Sequence, residues 1–194
     1  MKKIIQSSLV LFISVCTVLL IPLSKSFAQE VLSVQSESTP IYVEYELAFP
    51  GMLPDHPLYK AKIMRDRIMA FVTSNPQKLA DFYLLQTDKG ILAAAMLVDK
   101  NNSKLAATTA LKAEHNFTLL TQQLFRFPKK PETAFYQKLK TAAAKHQEVL
   151  ASLEKRTTGE EAKTFETIIE FSKKNVQTIT DFQTKKTFEE SLLE

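Results

Sequence analysis

The three histidines are the residues best suited to acid–base or metal chemistry, and their spacing supports neither. His146 falls on the apolar stripe of a predicted helix, whereas the neighbouring Glu148 falls on a different face. His115 lies opposite the stripe of its own helix, and we expect it to face solvent, while His56 lies beside Asp55 within a proline-rich stretch. No two of them have the helical spacing of a zinc or copper site. We therefore expect no metal and a hydrogen-bonded core position for His146.

Other residue patterns that carry chemistry are absent from the sequence. The three glycines are too few for a phosphate-binding loop, and the single cysteine, Cys16, lies in an apolar N-terminal run. Carboxylates alternate with lysines, as in EKRTTGEEAK, which is typical of solvated helix faces. We predict no enzymatic activity and no cofactor. A pocket that combined His146, Gln86 and Ser172, all on predicted apolar stripes, would instead favour a hydrolase.

Residues 1–28 predict export. Two lysines precede an apolar run over residues 4–23, and the Ser-Phe-Ala at 26–28 places small residues where a signal peptidase cleaves. The run also has the roughly 20 residues that a membrane-spanning helix needs, so an uncleaved anchor is the alternative. Residues 29–40 have no helical periodicity and predict a linker. Under both interpretations the rest of the chain is expected to be extracytoplasmic, at the cell envelope or secreted.

The basic character of the chain is confined to this N-terminal segment. Three of the 25 basic residues and none of the 21 acidic ones lie in residues 1–28, which leaves 22 basic against 21 acidic residues. Nucleic-acid binding requires an excess of cations to contact phosphates. We therefore expect no nucleic-acid partner, and membrane contact only through the N-terminal segment if that segment is uncleaved.

Residues 41–57 predict an extended clamp that packs across the domain. Apolar residues alternate with polar ones from Ile41 to Phe49, and three prolines then exclude regular helix. Asp55 is expected to cap a following helix with Pro57 in its first turn. The residues expected to hold the clamp are Leu53, Pro54, Asp55, Pro57, Leu58 and Tyr59.

Residues 58–194 predict five long helices with short connections, and hence an all-α antiparallel up-and-down bundle. Gly90 lies inside the second helix, where we expect a close approach by another helix or by the clamp. The stripes expected to be buried are Ala61, Met64, Ile68, Phe71 and Val72; Leu79, Phe82, Tyr83, Gln86, Gly90, Ala93 and Leu97; Ala106, Ala110, Ala113, Phe117, Leu120, Leu124 and Phe127; Phe135, Leu139, Ala142, His146, Val149 and Leu153; Phe165, Ile168, Ile169, Ser172, Val176 and Ile179.

Residues 45–120 resemble a family of secreted or membrane-tethered bacterial helical domains of unknown function. That family has a Leu-Pro-Asp-x-Pro-Leu-Tyr motif, which residues 53–59 match, an Asp/Asn-Pro helix start, matched by Asn75-Pro76, and a later stretch like residues 84–89. Gly90 stands where the family usually has arginine. The resemblance implies export and a helical fold, and it implies no catalytic residues.

These observations together predict a non-enzymatic binding or scaffolding domain at the bacterial cell envelope. Its partner would be an envelope protein or a surface polymer, bound by a helical face or by the clamp. The alternative is a helical stress chaperone of the periplasmic type or a metal-responsive protein. A chaperone would need exposed apolar patches, and a metal-responsive protein would need clustered histidine and methionine.

Overall fold

The computed structural model describes the backbone of residues 43–191 and the side chains of residues 43–185. The predicted signal or anchor (1–28), the predicted linker (29–40) and the first two clamp residues lie outside the described residues. The described part contains five helices and no strand, which confirms the predicted all-α class. The helices are α1 (Tyr59–Val72), α2 (Pro76–Asp99), α3 (Ser103–Leu124), α4 (Thr133–Arg156) and α5 (Gly159–Ser191).

Helices α2 to α5 form the bundle. Close contacts join α2 with α3, α3 with α5, α5 with α4, and α4 with α2, so α3 and α4 stand diagonally opposite each other. The connection over residues 125–132 therefore crosses one end of the bundle, and Phe127 within it is buried. The Phe127 side chain packs into the first apolar cluster of the core, so the crossing connection covers that end of the bundle.

Asparagines determine where α2 and α3 begin. The side chain of Asn75 accepts hydrogen bonds from the backbone of Gln77 and Lys78, with Pro76 at the first helical position, as predicted. Asn101 has a φ of 59° in the turn before α3, and Asn102 caps that helix by accepting from the backbone of Leu105. Asparagine tolerates this left-handed backbone better than most residues, which fixes a tight turn between α2 and α3.

The expected close approach at Gly90 is confirmed, and the approaching element is α3. A β-carbon added at Gly90 would lie 2.5 Å from the β-carbon of Ala113. No real pair of β-carbons comes so close, so the backbones of α2 and α3 can approach each other only because residue 90 has no side chain.

The core consists of two apolar clusters along the bundle. The first is Ala80, Leu84, Phe117, Leu120, Leu124, Phe127, Tyr136, Leu139, Ala142, Ala143, Ile179 and Phe182. The second is Ile91, Ala94, Leu97, Val98, Ala106, Ala107, Ala110, Ala113, Leu150, Leu153, Phe165 and Ile168. The stripes predicted for α3, α4 and α5 lie on the inner faces of these helices. The stripe predicted for α2 captures one side of its buried face and misses the centre, where Leu84 and Ile91 lie.

The prediction that the apolar stripe of α1 is buried is wrong, because this stripe faces solvent. Met64, Ile68, Phe71 and Val72 are exposed, Phe71 by 90%, and no residue of α1 is fully buried. Tyr59 and other half-buried residues face the bundle instead. Both faces of α1 carry apolar side chains, so periodicity alone does not identify the docked face.

The described part of the clamp, residues 43–57, crosses from α4 over α2 towards the end of α2. The backbone N–H of Val43 donates to Oε2 of Glu148 at 2.9 Å, and Nζ of Lys62 donates to the carbonyl of Pro50 at 3.0 Å. Alternation holds for the half-buried Val43, Tyr45 and Leu47 but ends at Phe49, which is 68% exposed. These bonds tie the described part of the clamp to α4 and α1.

The predicted helix cap at Asp55 is wrong. Leu58 occupies the N-cap of α1 without a side-chain bond, and Pro57 precedes the helix. Asp55 accepts a hydrogen bond from Nζ of Lys100 at 2.8 Å, which lowers the pKa of its carboxyl below the ordinary value. Its side chain therefore links the clamp to the end of α2.

Gly90→Ala should destabilise the protein, even though alanine favours helix. The added methyl group would collide with Ala113, and overpacking of this kind costs about 1–3 kcal/mol, against the roughly 1 kcal/mol that alanine gains in an unstrained helix. The free energy of unfolding from urea titration measures the loss. The exchanged pair Gly90→Ala with Ala113→Gly is the control and should recover most of it. A single variant as stable as the native chain would contradict the close approach.

Candidate functional site

A layer of polar side chains separates the two apolar clusters. Each bundle helix contributes to it, at positions between the residues that the helix gives to one cluster and to the other. The members of this polar layer are Asp88 of α2, Glu114 of α3, His146 of α4, and Ser172 and Asn175 of α5, all of which are buried. Because buried polar groups are stable only when hydrogen-bonded, the layer is the place to look for chemistry.

His146 is bonded to Asp88, and the clamp completes the pair. Nε2 of His146 lies 2.7 Å from Oδ1 of Asp88 and donates to it, while the hydroxyl of Tyr45 donates to Oδ2 at 2.9 Å. The ring of Phe117 meets the His146 ring edge to face, with centroids 5.6 Å apart. His146 therefore has the hydrogen-bonded core position expected for it, and its partner is an acid that the sequence pattern did not single out.

This Asp–His pair has the composition of a general base but not its setting. Burial, and then the charge of Asp88 and the hydrogen bond to it, raise the pKa of Tyr45, so its hydroxyl keeps its proton and covers the carboxylate. Nδ1 of His146 is buried and has no hydrogen-bond partner among the described residues. The pair therefore faces neighbouring side chains rather than open solvent.

Glu114 forms the second polar contact of the layer. Asn175 donates to Oε1 of Glu114 at 2.7 Å and to Oγ1 of Thr118 at 3.1 Å, and Oε2 has no partner within the described residues. Burial raises the pKa of Glu114 to about 8, and the Asn175 bond only partly offsets this effect. At neutral pH the carboxyl is therefore mainly protonated, which removes the cost of burying a charge.

Gln86 and Ser172, which together with His146 in one pocket would have favoured a hydrolase, do not bond to His146. Ser172 accepts a hydrogen bond from Nε2 of Gln147 at 3.2 Å, and Gln86 lines a groove beside α1. The structure thus places Ser172 in the same polar layer as His146 but bonded to a different side chain, and places Gln86 outside that layer. His56 and His115 are exposed, and within residues 43–185 no group of three or more His, Cys, Asp or Glu side chains could hold a metal ion.

Sequence periodicity contained a signal for both buried acids. Asp88 follows Leu84 by four residues and precedes Ile91 by three, and Glu114 stands in the same relation to Ala110 and Phe117. These are the spacings of a buried helix face. Because acids alternate with lysines along the helices, the sequence pattern favoured a solvated position for acids in general.

Grooves on the surface adjoin α1 and α3. One, of about 540 Å³, runs between α1 and the pair α2–α3, with Tyr59, Gln86 and Lys112 in its lining. Another, of about 520 Å³, lies between α3 and α5, and its lining combines the apolar Leu111 and Phe171 with the polar Lys112, Glu114, His115 and Thr118. Neither Asp88 nor His146 lines these two grooves, so they do not open onto the Asp–His pair.

The residues predicted to hold the clamp are split between the interior and the surface. Leu53 is buried, and Pro54 and Tyr59 together line a small cavity of about 110 Å³ over Gly90. Pro57 and Leu58 are exposed. Their contribution to holding the clamp stays a prediction.

The comparisons with known proteins identify a family. A family model described as a domain of unknown function, DUF5667, matches residues 51–161. That span exceeds half of the 194 residues. The chain belongs to the DUF5667 family. No curated protein and no solved structure matches this chain.

The DUF5667 span covers α1 to α4 whole. It contains Asp88, Glu114 and His146, but two side chains that hydrogen-bond to them lie outside it: Tyr45 comes before the span and Asn175 after it. The matched region therefore supplies both acids of the polar layer and His146, whereas a preceding and a following segment supply the donors Tyr45 and Asn175.

Replacing Tyr45 by phenylalanine should loosen the clamp. The change removes only the hydroxyl that donates to Asp88, and a bond of this kind contributes about 1–2 kcal/mol. Urea unfolding measures the loss, and limited proteolysis of the clamp should become faster. Glu44→Gln, at an exposed position of the same segment, is the control. Equal stability of the two variants would show that the Tyr45 bond does not hold the clamp.

Stability should fall as pH rises because of Glu114. Its pKa in the folded chain is about 8 against an ordinary 4.5, so the folded state binds more protons than the unfolded state between these values. The contribution of Glu114 to the free energy of unfolding is complete below pH 4.5 and is lost as pH rises towards 8. Urea titrations across this range should show a smaller fall for the neutral isostere Glu114→Gln than for the native chain, with exposed Glu166→Gln as control. An identical pH profile for Glu114→Gln and the native chain would refute the assignment.

Proposed function

We propose that this DUF5667 protein is an exported, non-enzymatic binding domain of the bacterial cell envelope. It presents the exposed apolar face of α1, which consists of Ala61, Met64, Ile68, Phe71 and Val72 and is called here the outward face of α1. The observation that carries the proposal is the exposure of this face on a helix that has no fully buried residue. Exposed contiguous apolar side chains of this kind are typical of interaction sites.

The burial of the Asp–His pair supports a role without catalysis. The Asp–His pair, which has the right composition for acid–base chemistry, is covered by the Tyr45 hydroxyl and lines neither of the large grooves beside α3. A catalytic base must come within hydrogen-bond reach of a substrate proton. In the proposed function, the role of the Asp–His pair is to hold α2, α4 and the clamp together.

Export rests on the sequence of residues 1–28, with its basic start, apolar run and small residues at 26 and 28. Within the described residues, no helix combines the length and the apolar composition needed to cross a membrane. An anchor, if the protein has one, would come from the N-terminal run.

A helical chaperone is the second candidate, and the same face favours it. Two methionines, Met64 and Met69, are about half exposed on α1, and flexible methionine side chains adapt to varied apolar clients. A chaperone would bind many unfolded chains through this surface, whereas a scaffold would bind one partner.

Site-specific photo-crosslinking in intact cells of the native host tests the proposal. A photoreactive amino acid replaces Ile68 on the outward face of α1, or exposed Gln122 on α3 as the control. Mass spectrometry of the tagged full-length protein reads the crosslinked component and the N-terminus, and cell fractionation reads the location. We expect an extracytoplasmic protein with crosslinks to one envelope component at position 68 and few at position 122.

The outcomes separate the candidates. Crosslinks at position 68 to many unrelated unfolded chains would favour the chaperone. An intact, cytoplasmic chain would refute export. Equal crosslinking at positions 68 and 122 would refute the outward face of α1 as the binding surface.

A further inference from the structure

We propose that the outward face of α1 binds an anionic lipid bilayer, with α1 lying in the plane of the membrane surface. This inference rests on the proposed function and names the partner class of the same face. It also gives the folded domain a membrane contact of its own, in addition to the one that the sequence predicts for the N-terminal segment.

The apolar part of the face has the shape of an interfacial helix. Met64 and Ile68 are more than half exposed, and Phe71 near the end of the helix is almost entirely so. The spacing of residues 61, 64, 68 and 71 places them along one side over roughly 15 Å, at 1.5 Å per residue. A surface helix of this kind buries its apolar side at the boundary between headgroups and acyl chains.

The charges beside the face select an anionic surface. Lys60 and Arg67, two turns apart, flank one edge, Arg65 flanks the other, and all three are exposed. The one acid of α1, Asp66, is turned inward and pairs with Arg65 at 2.7 Å. Long basic side chains beside an apolar stripe bury their stems and place their charges at lipid phosphates.

The same charges disfavour a second copy of this chain as the occupant. In a symmetric pair that joined two outward faces, the Lys60 and Arg67 edges would meet cations of the partner copy, because α1 has no exposed acid. Like charges at an interface oppose association. A bilayer that contains anionic lipid satisfies both the apolar stripe and its basic edges.

The position of α1 in the chain suits this contact. The apolar run ends at residue 23, and α1 begins at Tyr59 after the predicted linker and the clamp. A fully extended linker of 12 residues reaches about 40 Å, so an anchored chain keeps the domain beside the bilayer. In a chain cleaved after residue 28, α1 itself would hold the domain at the membrane.

Depth-dependent fluorescence tests the proposal on the protein as the host exports it. An environment-sensitive dye is attached to a cysteine that replaces Ile68, with Cys16→Ser present throughout, and the matched control carries the dye at exposed Glu166 of α5. The protein is mixed with vesicles of phosphatidylglycerol and phosphatidylcholine in equal parts, or of phosphatidylcholine alone, with brominated acyl chains as quencher. This readout reports the depth of each position even if the N-terminal run is inserted.

We expect a blue shift and quenching at position 68 with anionic vesicles, little response with neutral ones, and none at position 166. Replacing Lys60 and Arg67 by glutamine should weaken the response at position 68 about fivefold per removed cation. Phe71→Ser should also reduce it, whereas Leu111→Ser, at an exposed leucine of α3, should not.

Three results would overturn the inference: no response at position 68, an equal response with neutral vesicles, or a response without lipid that grows with protein concentration, which would indicate self-association. Because the measurement uses purified protein, failure here with export established refutes only the lipid partner. A cytoplasmic location in cells refutes the proposed function instead.

Discussion

The carboxylate of Asp88 is the constraint on which the arrangement of this domain depends. A carboxylate among apolar side chains costs several kcal/mol unless donors surround it, and here the donors come from two different elements, His146 of α4 and Tyr45 of the clamp. Sliding α4 by one turn along α2 would separate the pair, so that His146 would lose its partner and Asp88 would lose one of its two donors. The apolar residues above and below, mostly Leu, Ala and Phe, could pack in several registers, so the polar contact specifies one of them.

Glu114 and Asn175 play the corresponding part between α3 and α5. The two contacts differ in electrostatics, because Asp88 receives two donors whereas Glu114 has one donor and becomes mainly neutral when buried. Within the polar layer, one hydrogen bond joins α2 to α4 and another joins α3 to α5. Each bond fixes the register of its own helix pair. The close approach at Gly90 and Ala113 then joins α2 to α3, so all four helices are held in one register.

The sequence predicted the fold class and most of the core, because α3, α4 and α5 each have one apolar face. It predicted the burial of His146, since a histidine on an apolar stripe has only that placement. It did not predict Asp88 as the partner, because an acid within the run QTDK looks solvated until α4 is placed beside it. It also reversed α1: Tyr59 and Ile63 on one face and Ile68 and Phe71 on the other are equally apolar, and only tertiary packing distinguishes them.

The clamp contacts join residues that are far apart in sequence: Tyr45 and Asp88 are separated by 43 positions, and Val43 and Glu148 by 105. The Val43–Glu148 contact spans more of the chain than the Asp88–His146 and Glu114–Asn175 contacts, so closing its loop costs more entropy. Both the acceptor on α2 and the acceptor on α4 must exist before the clamp can dock. If the chain crosses a membrane N-terminus first, the clamp is exported before α2 and α4. Its backbone then stays accessible to proteases until α4 has followed and the clamp can dock.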